Sequence, residues 1–144
     1  MTSKKHLLLN RVVDRCWEWR LGIRTRGYIA PDQLGLCNDG LDYSPIPFRA
    51  FFRAMKHVPT DLLTGTFLDY GAGMGRALVL AARYYPFRRV VGVEVSAELC
   101  ERAADNLKHV AAGHAEVICT DAATHQPPCD TSVFFSLTLF SVRL

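Results

Sequence analysis

One glycine-rich stretch near the middle of the chain decides the fold. It follows a short apolar run and reads Asp69-Tyr70-Gly71-Ala72-Gly73-Met74-Gly75-Arg76. Glycines at alternate positions remove side chains where a chain must turn sharply, and they let a ligand approach the backbone closely. Residues 76–85, which are apolar from 77 to 82, predict a helix whose unpaired N–H groups point at the same place. The stretch therefore predicts a ligand-binding turn between a strand and a helix.

Around this turn the sequence alternates between strand and helix patterns. Strands are predicted at residues 66–70, 89–95, 116–120 and 133–140. A first helix is predicted at 76–85, and a second one lies between Ser96, which can cap it, and Gly113, which can end it. This order predicts an α/β fold with a parallel sheet and right-handed crossovers. Ligands of such sheets bind beyond the carboxyl ends of the strands, so the residues there decide the function.

A carboxylate stands two residues before the first glycine of the turn. Asp69 suits a ligand with a cationic ammonium group and is a poorer neighbour for a pyrophosphate. The dinucleotide fingerprint GxGxxG would also require a glycine at the position of Arg76. An NAD(P)-dependent oxidoreductase stays open as an alternative, because a glycine turn and an acid such as Glu94 occur in both kinds of site.

Two more acidic residues end the second and third predicted strands. Glu94 can accept two hydrogen bonds from a ribose diol, and Asp121 can accept one from an adenine amino group. A backbone N–H after Asp121 can donate to the adenine ring. Each acid also has a plain structural interpretation, Glu94 as a solvated residue before a helix and Asp121 as a turn former.

Residues 69–75, Glu94 and Asp121 together resemble, in order and spacing, the three cofactor motifs of class I S-adenosylmethionine-dependent methyltransferases. The resemblance covers about residues 62–125. It implies S-adenosyl-L-methionine as cofactor, with the methionine part at Asp69 and the glycine turn, the ribose at Glu94 and the adenine at Asp121. The cofactor-binding residues that it implies are Asp69, Tyr70, Gly71, Ala72, Gly73, Gly75, Glu94, Val95, Asp121 and Ala122. It assigns neither the methyl acceptor nor a catalytic residue.

The same resemblance implies a three-layer, Rossmann-like parallel sheet, of which this chain supplies about four strands in the order 3-2-1-4. A full class I sheet has seven strands, so the chain is expected to be truncated on its C-terminal side. Strand 133–140 would then be an edge strand with apolar side chains on both faces, which invites self-association. A third hypothesis follows, in which the chain is a non-catalytic cofactor-binding subunit that needs a partner chain.

Residues 1–60 are predicted to form an N-terminal helical or lid segment, followed by the partial Rossmann-like domain at 61–144. Apolar side chains recur at helical spacing before a glycine that can end the helix, at Leu8, Val12, Cys16, Trp19 and Gly22. A second helix is predicted at 48–56. The linking Tyr43-Ser44-Pro45-Ile46-Pro47-Phe48 resembles the segment that folds over the cofactor in many such enzymes. A proline-braced loop between two helices explains it equally well.

Composition and charge limit the partners and the compartment. The net charge is +3, and residues 1–30 hold seven basic side chains against Asp14 and Glu18. That bias allows nucleic acid or an acidic protein as partner, and it also fits a solvated helix face. Five cysteines without a CxxC pair favour reduced thiols in the cytoplasm, and no His or Cys spacing predicts a metal site. No apolar run approaches the roughly 20 residues that span a bilayer, so no membrane partner is expected.

Overall fold

Two helices occupy the described residues on the N-terminal side of the sheet. The computed structural model describes residues 2–30 and 42–137, with side chains described from residue 7 onward. Helix α1 spans Thr2–Leu21 and ends at Gly22, whose φ of 67° lies in the left-handed region. Helix α2 spans Phe48–Met55 and begins directly after Pro47. Between the two helices, Ile29 and Tyr43 form an isolated antiparallel bridge.

The described residues from 66 to 137 contain one parallel sheet of four strands. The strands are β1 at Thr66–Tyr70, β2 at Arg89–Glu94, β3 at Ala115–Cys119 and β4 at Thr131–Phe135. Their order across the sheet is β3-β2-β1-β4, and every neighbouring pair is parallel. The predicted α/β class and strand order are therefore confirmed. The pairing of Glu94 with Cys119 and of Tyr70 with Val93 brings the carboxyl ends of three strands to one edge.

Two helices make the crossovers between the strands. Helix α3 spans Arg76–Tyr84 and connects β1 to β2, and helix α4 spans Ala97–His109 and connects β2 to β3. The Ser96 side chain accepts the Leu99 N–H, so the predicted cap of α4 is present. A short 3-10 helix at Thr60–Thr64, which the sequence patterns did not predict, leads into β1.

The fourth strand is shorter than predicted. Strand 133–140 was expected, whereas β4 ends at Phe135, residues 136 and 137 lie outside any strand, and 138–140 lie outside the described residues. In the described part of the chain β4 pairs only with β1, from Thr66 to Asp69. Because a strand needs ladder partners to continue, β4 stops where β1 gives way to the glycine turn.

The largest hydrophobic cluster of the described residues joins the N-terminal segment to the sheet. On one face, Phe67, Val90 and Val133 pack with Phe51 of α2 and Leu78 of α3. Full burial of a phenylalanine side chain contributes about 1.5–3 kcal/mol. The same cluster includes two residues from between α1 and α2, Ile23 and Ile46. The opposite face carries a smaller cluster of Leu68, Val91 and Val93.

None of the helices in the described ranges is both long and apolar enough to cross a membrane.

Candidate functional site

The glycine turn lies over the end of β2. The N–H groups of Gly71 and Ala72 both donate to the Val93 carbonyl oxygen, at 2.8 and 3.1 Å. The three glycines of the turn, Gly71, Gly73 and Gly75, have φ values of 76°, 56° and 79°. L-residues with a side chain rarely adopt this conformation, so the alternation of glycines follows from the path of the backbone. The predicted strand–turn–helix unit is present.

Tyr43 covers the middle of this turn. A Cβ atom added at Gly73 would collide with the Tyr43 ring, so the bare backbone is required for the contact. The Tyr43 hydroxyl donates to the Thr25 carbonyl oxygen at 2.6 Å, and burial raises the pKa of this phenol. The ring also packs in a small cluster with Met74 and Leu99. The proline-braced stretch before α2 therefore places an aromatic side chain on the turn.

Asp69 lies beneath the turn with only 4% of its surface exposed. Burial, and secondarily the nearby carboxylate of Glu94, raise the pKa of Asp69 well above its usual value of 3.8. A cation placed beside it would favour the ionised form, because opposite charges attract strongly where water is excluded. The site is thus suited to a positively charged group.

Glu94 ties the turn to the start of α4. Its Oε2 atom accepts the Gly73 N–H at 2.8 Å, and its Oε1 atom accepts the N–H groups of Val95 and Ser96 at 2.9 and 3.0 Å. A carboxylate offers about four acceptor positions, so backbone donors occupy most of them. The position that these amides leave free is on Oε2, so one hydroxyl of a bound diol could donate there and the second would have to share an oxygen with an amide.

The remaining predicted site residues lie further along the same edge or on the other face. Asp121 and Ala122 are exposed beyond β3, and Oδ1 of Asp121 accepts the Ala123 N–H at 2.8 Å in a tight turn. The Val95 side chain is exposed at the end of β2. The Tyr70 hydroxyl lies 3.0 Å from Nδ1 of His125, and its ring packs on Phe134 on the face opposite Asp69. The structure therefore brings Asp69, the turn and Glu94 into one cluster.

Arg76 holds the N-terminal segment to the end of the turn. This first residue of α3 has 2% of its surface exposed. Its Nε atom donates to Oγ1 of Thr25 at 2.7 Å. One terminal nitrogen donates to Asp14 and to the Ile46 carbonyl, both at 2.8 Å, and the other donates to Glu18 at 3.1 Å. Two features of the sequence could have indicated this cluster of contacts. An arginine stands where the dinucleotide fingerprint has its last glycine, and two acidic residues lie in an otherwise basic segment.

Asn106 of α4 provides a second tie between the same regions. Its Oδ1 atom accepts the Arg24 N–H at 3.0 Å, and its Nδ2 atom donates to the carbonyl oxygens of Arg24 and Met74 at 3.0 and 2.9 Å. The amide therefore joins the glycine turn to the chain that follows α1. Sequence reasoning missed this residue, because nothing in the local pattern distinguishes it from an exposed helix asparagine.

The comparisons with known proteins agree with this arrangement. Residues 67–142, slightly more than half of the chain, match the family model described as a methyltransferase domain. The chain belongs to the methyltransferase-domain family. Among curated proteins no sequence match is found.

Two solved methyltransferases resemble this methyltransferase domain in structure. An RNA methyltransferase from Salinibacter ruber, in complex with S-adenosyl-L-homocysteine, has 28% identity and a TM-score of 0.52 over 57% of this chain and 53% of that one. Protein arginine methyltransferase 10 from Arabidopsis thaliana has 26% identity and a TM-score of 0.54 over 62% of this chain and 26% of that one. The chain thus spans about half the length of the first and a quarter of the second.

Proposed function

We propose that this chain binds S-adenosyl-L-methionine and forms the cofactor-binding part of a methyltransferase. The observation that carries the proposal is the buried Asp69 under a bare glycine turn, which suits the ammonium group of an amino-acid moiety. The crystallised complex of the Salinibacter ruber enzyme with S-adenosyl-L-homocysteine supports it as well. The cofactor carries the reactive methyl group, so the work of the chain is to bind and orient.

Each predicted site residue has a place in this proposal. Asp69, Tyr70 and residues 71–75 hold the methionine part, Glu94 and Val95 the ribose, and Asp121 and Ala122 the adenine. Glu94 would also keep the turn in place through its bond to Gly73. Residues 1–60 act as a lid on the domain formed by 61–144, with Tyr43 as the side chain that covers the turn.

A calorimetric titration with S-adenosylhomocysteine tests the cofactor assignment. We expect binding to the wild-type chain and a loss of at least about tenfold in affinity for Asp69→Asn, because the replaced group can no longer pair with the ammonium. Asp61→Asn, at an exposed position in the 3-10 helix, is the matched control and should bind as the wild type does. Binding of NAD without binding of S-adenosylhomocysteine would contradict the proposal.

The oxidoreductase alternative is opposed by the position of Arg76. A dinucleotide turn uses a glycine there for close packing of helix on strand. In this chain the position holds a buried side chain that the N-terminal segment surrounds with acceptors.

The methyl acceptor and the binding partner of the chain are the subject of a separate proposal. We infer a nucleic acid or protein acceptor, because the basic N-terminal segment favours an acidic partner. Transfer of a radioactive methyl group to total RNA or protein would support this. Binding of the cofactor with labelling of neither would favour the non-catalytic subunit that needs a partner chain.

Two further proposals concern the state of the chain in solution and in the cell. Phe134 on β4 is exposed, so we infer self-association through this edge, to be measured by sedimentation of the wild type and of Phe134→Lys. An unchanged monomer in both would contradict it. We also infer a cytoplasmic location, which the four free thiols of the described cysteines support.

A further inference from the structure

The outer side of α1 carries large apolar side chains that the described part of the chain leaves uncovered. Leu8, Val12 and Trp19 expose 64%, 54% and 85% of their surface. They are spaced four and seven residues apart, which places them on one stripe along the helix. This is the spacing of the seam between two packed helices.

The inner side of α1 is fixed by other residues, so the stripe cannot turn inward. Asp14 and Glu18 bind the buried guanidinium of Arg76. Trp17 stacks on Phe48 with ring centroids 5.7 Å apart. Rotation of α1 to bury the stripe would leave a buried arginine without its carboxylates, which is far more costly than exposed apolar surface. The exposure of the stripe therefore follows from the way α1 is attached.

The charges beside the stripe are all positive. Arg11, Arg15 and Arg20 are exposed on α1. Its acids, Asp14 and Glu18, face inward toward Arg76. Arg15 lies between Val12 and Trp19 along the seam, three and four residues from them. The outer face of residues 7–21 thus combines an apolar seam with cations alone.

We propose that this face docks an acidic amphipathic helix of another protein. Its apolar side chains would pack on Leu8, Val12 and Trp19, and its carboxylates would pair with Arg11 and Arg15. The inference goes beyond methyl transfer and does not depend on it.

Three other occupants fit the face less well. A second copy of the chain would bring arginines against arginines, which is unfavourable. A nucleic acid would contact the cations and leave the apolar seam unpaired. A lipid surface is bound by a broad, continuous apolar face. Leu7 and Leu9 are exposed beside Leu8, but Arg15 interrupts the face between Val12 and Trp19.

Binding of designed peptides to the full chain tests the proposal. The probe is a labelled helical peptide of about 20 residues with leucine at the seam positions and glutamate beside them. A scrambled peptide of the same composition is its control. We expect anisotropy to report at least about tenfold tighter binding of the seam peptide, and weaker binding as salt increases.

Two double variants of the chain measure separately how much the apolar seam and the arginines contribute to peptide binding. Leu8→Ser combined with Trp19→Ser should weaken binding about tenfold or more, because it removes two of the three apolar side chains of the seam and keeps every arginine. Arg11→Gln with Arg15→Gln should weaken it about fivefold and reduce its salt dependence. The matched controls, Leu62→Ser and Arg83→Gln, change exposed residues elsewhere and should bind as the wild type does. Circular dichroism checks that all variants remain folded.

Three results would overturn the proposal. The first is equal binding of the seam and scrambled peptides, and the second is wild-type affinity in the Leu8 and Trp19 variant. The third is tighter binding of a single-stranded RNA of about 20 nucleotides, or of vesicles containing phosphatidylglycerol, than of the seam peptide. S-adenosylhomocysteine binding, measured on the same samples, keeps a failure here separate from a failure of the cofactor proposal.

Discussion

The glycine turn and the N-terminal segment meet where Tyr43 covers Gly73. The N-terminal segment here means residues 7–30 and 42–55, and it is held in place by other kinds of contact than the turn. The turn is fixed by backbone hydrogen bonds to Val93 and by the φ angles of its glycines. The N-terminal segment is fixed by side chains of Arg76 and Asn106 that contact residues 30 to 82 positions away. A local backbone feature tolerates most changes outside itself, whereas a segment held by a few buried side chains depends on each of them.

The largest expected effect comes from removing the centre of those contacts. Arg76→Met removes the buried cation that Asp14 and Glu18 share and leaves Glu18 with the exposed Arg26 alone, so we expect the free energy of unfolding to fall by about 3–5 kcal/mol. Urea denaturation measures it. Arg102→Met, which removes an exposed pair with Glu98, is the control and should cost about 0.5 kcal/mol or less.

A second variant distinguishes lost pairing from lost packing. If unpaired carboxylates cause the loss, Asp14→Asn and Glu18→Gln added to Arg76→Met should restore part of the stability. A triple variant no more stable than Arg76→Met would show that the N-terminal segment is held by packing, and the contrast between the two regions would weaken.

The next largest effect concerns the point where the regions meet. Gly73→Ala combines a positive φ with a clash against the Tyr43 ring, so we expect a loss of about 1–3 kcal/mol in stability and much weaker S-adenosylhomocysteine binding. Gly113→Ala is the control, because a Cβ there meets nothing within 4 Å. Equal stability and affinity in the two variants would mean that the turn does not need its bare backbone.

The turn and the sheet could be predicted because local rules set them. Alternate glycines after Asp69, and strands separated by apolar helices, are visible in short windows of sequence, and the helix starts and strand bounds mostly agree to within a residue. The predicted C-terminal end of β4 was wrong, because the position where β4 ends depends on the length of its neighbour β1. Helical spacing in α1 predicted a helix, but it could not indicate that charged residues form the inner side.

The contacts of the N-terminal segment could not be predicted because their partners are distant. Glu18 and Arg76 are 58 positions apart, and Asn106 meets Arg24 from 82 positions away. A pattern of residue types contains no information on such pairs unless the fold is known. Arg76 was noticed only as a missing glycine, and Asn106 was not noticed.

A smaller effect, the pH dependence of stability, tests the buried carboxyl group of Asp69 beneath the turn. The pKa of Asp69 is raised above 3.8 in the folded chain, so between 3.8 and the raised value the folded state holds a proton that the unfolded state has lost. The stability contribution is therefore full below pH 3.8 and declines as pH rises through the folded pKa, by at most about 1.4 kcal/mol per pH unit. Denaturation of the wild type and Asp69→Asn from about pH 4 upward should show this decline only in the wild type.

Ligand binding sharpens the same test. If an ammonium group sits beside Asp69, binding lowers the pKa of that carboxyl group and releases protons in the same pH window. Calorimetry of S-adenosylhomocysteine in buffers of different ionisation enthalpy measures the release. Identical pH profiles for wild type and Asp69→Asn, with no proton release, would place the cationic group elsewhere.

The smallest expected effect tests whether the N-terminal segment covers the bound ligand or only stabilises the core. Tyr43→Phe keeps the ring over Gly73 and removes the hydrogen bond to the Thr25 carbonyl, so stability should fall by about 0.5–1.5 kcal/mol. A cover that is less firmly held opens more often, so dissociation of S-adenosylhomocysteine should become faster while association changes little. Stopped-flow fluorescence measures both rates, and Tyr28→Phe, at an exposed position, is the control. An unchanged dissociation rate in both Tyr43→Phe and Tyr43→Ala would reduce the segment to a support for the core, because a cover must affect the departure of what it covers.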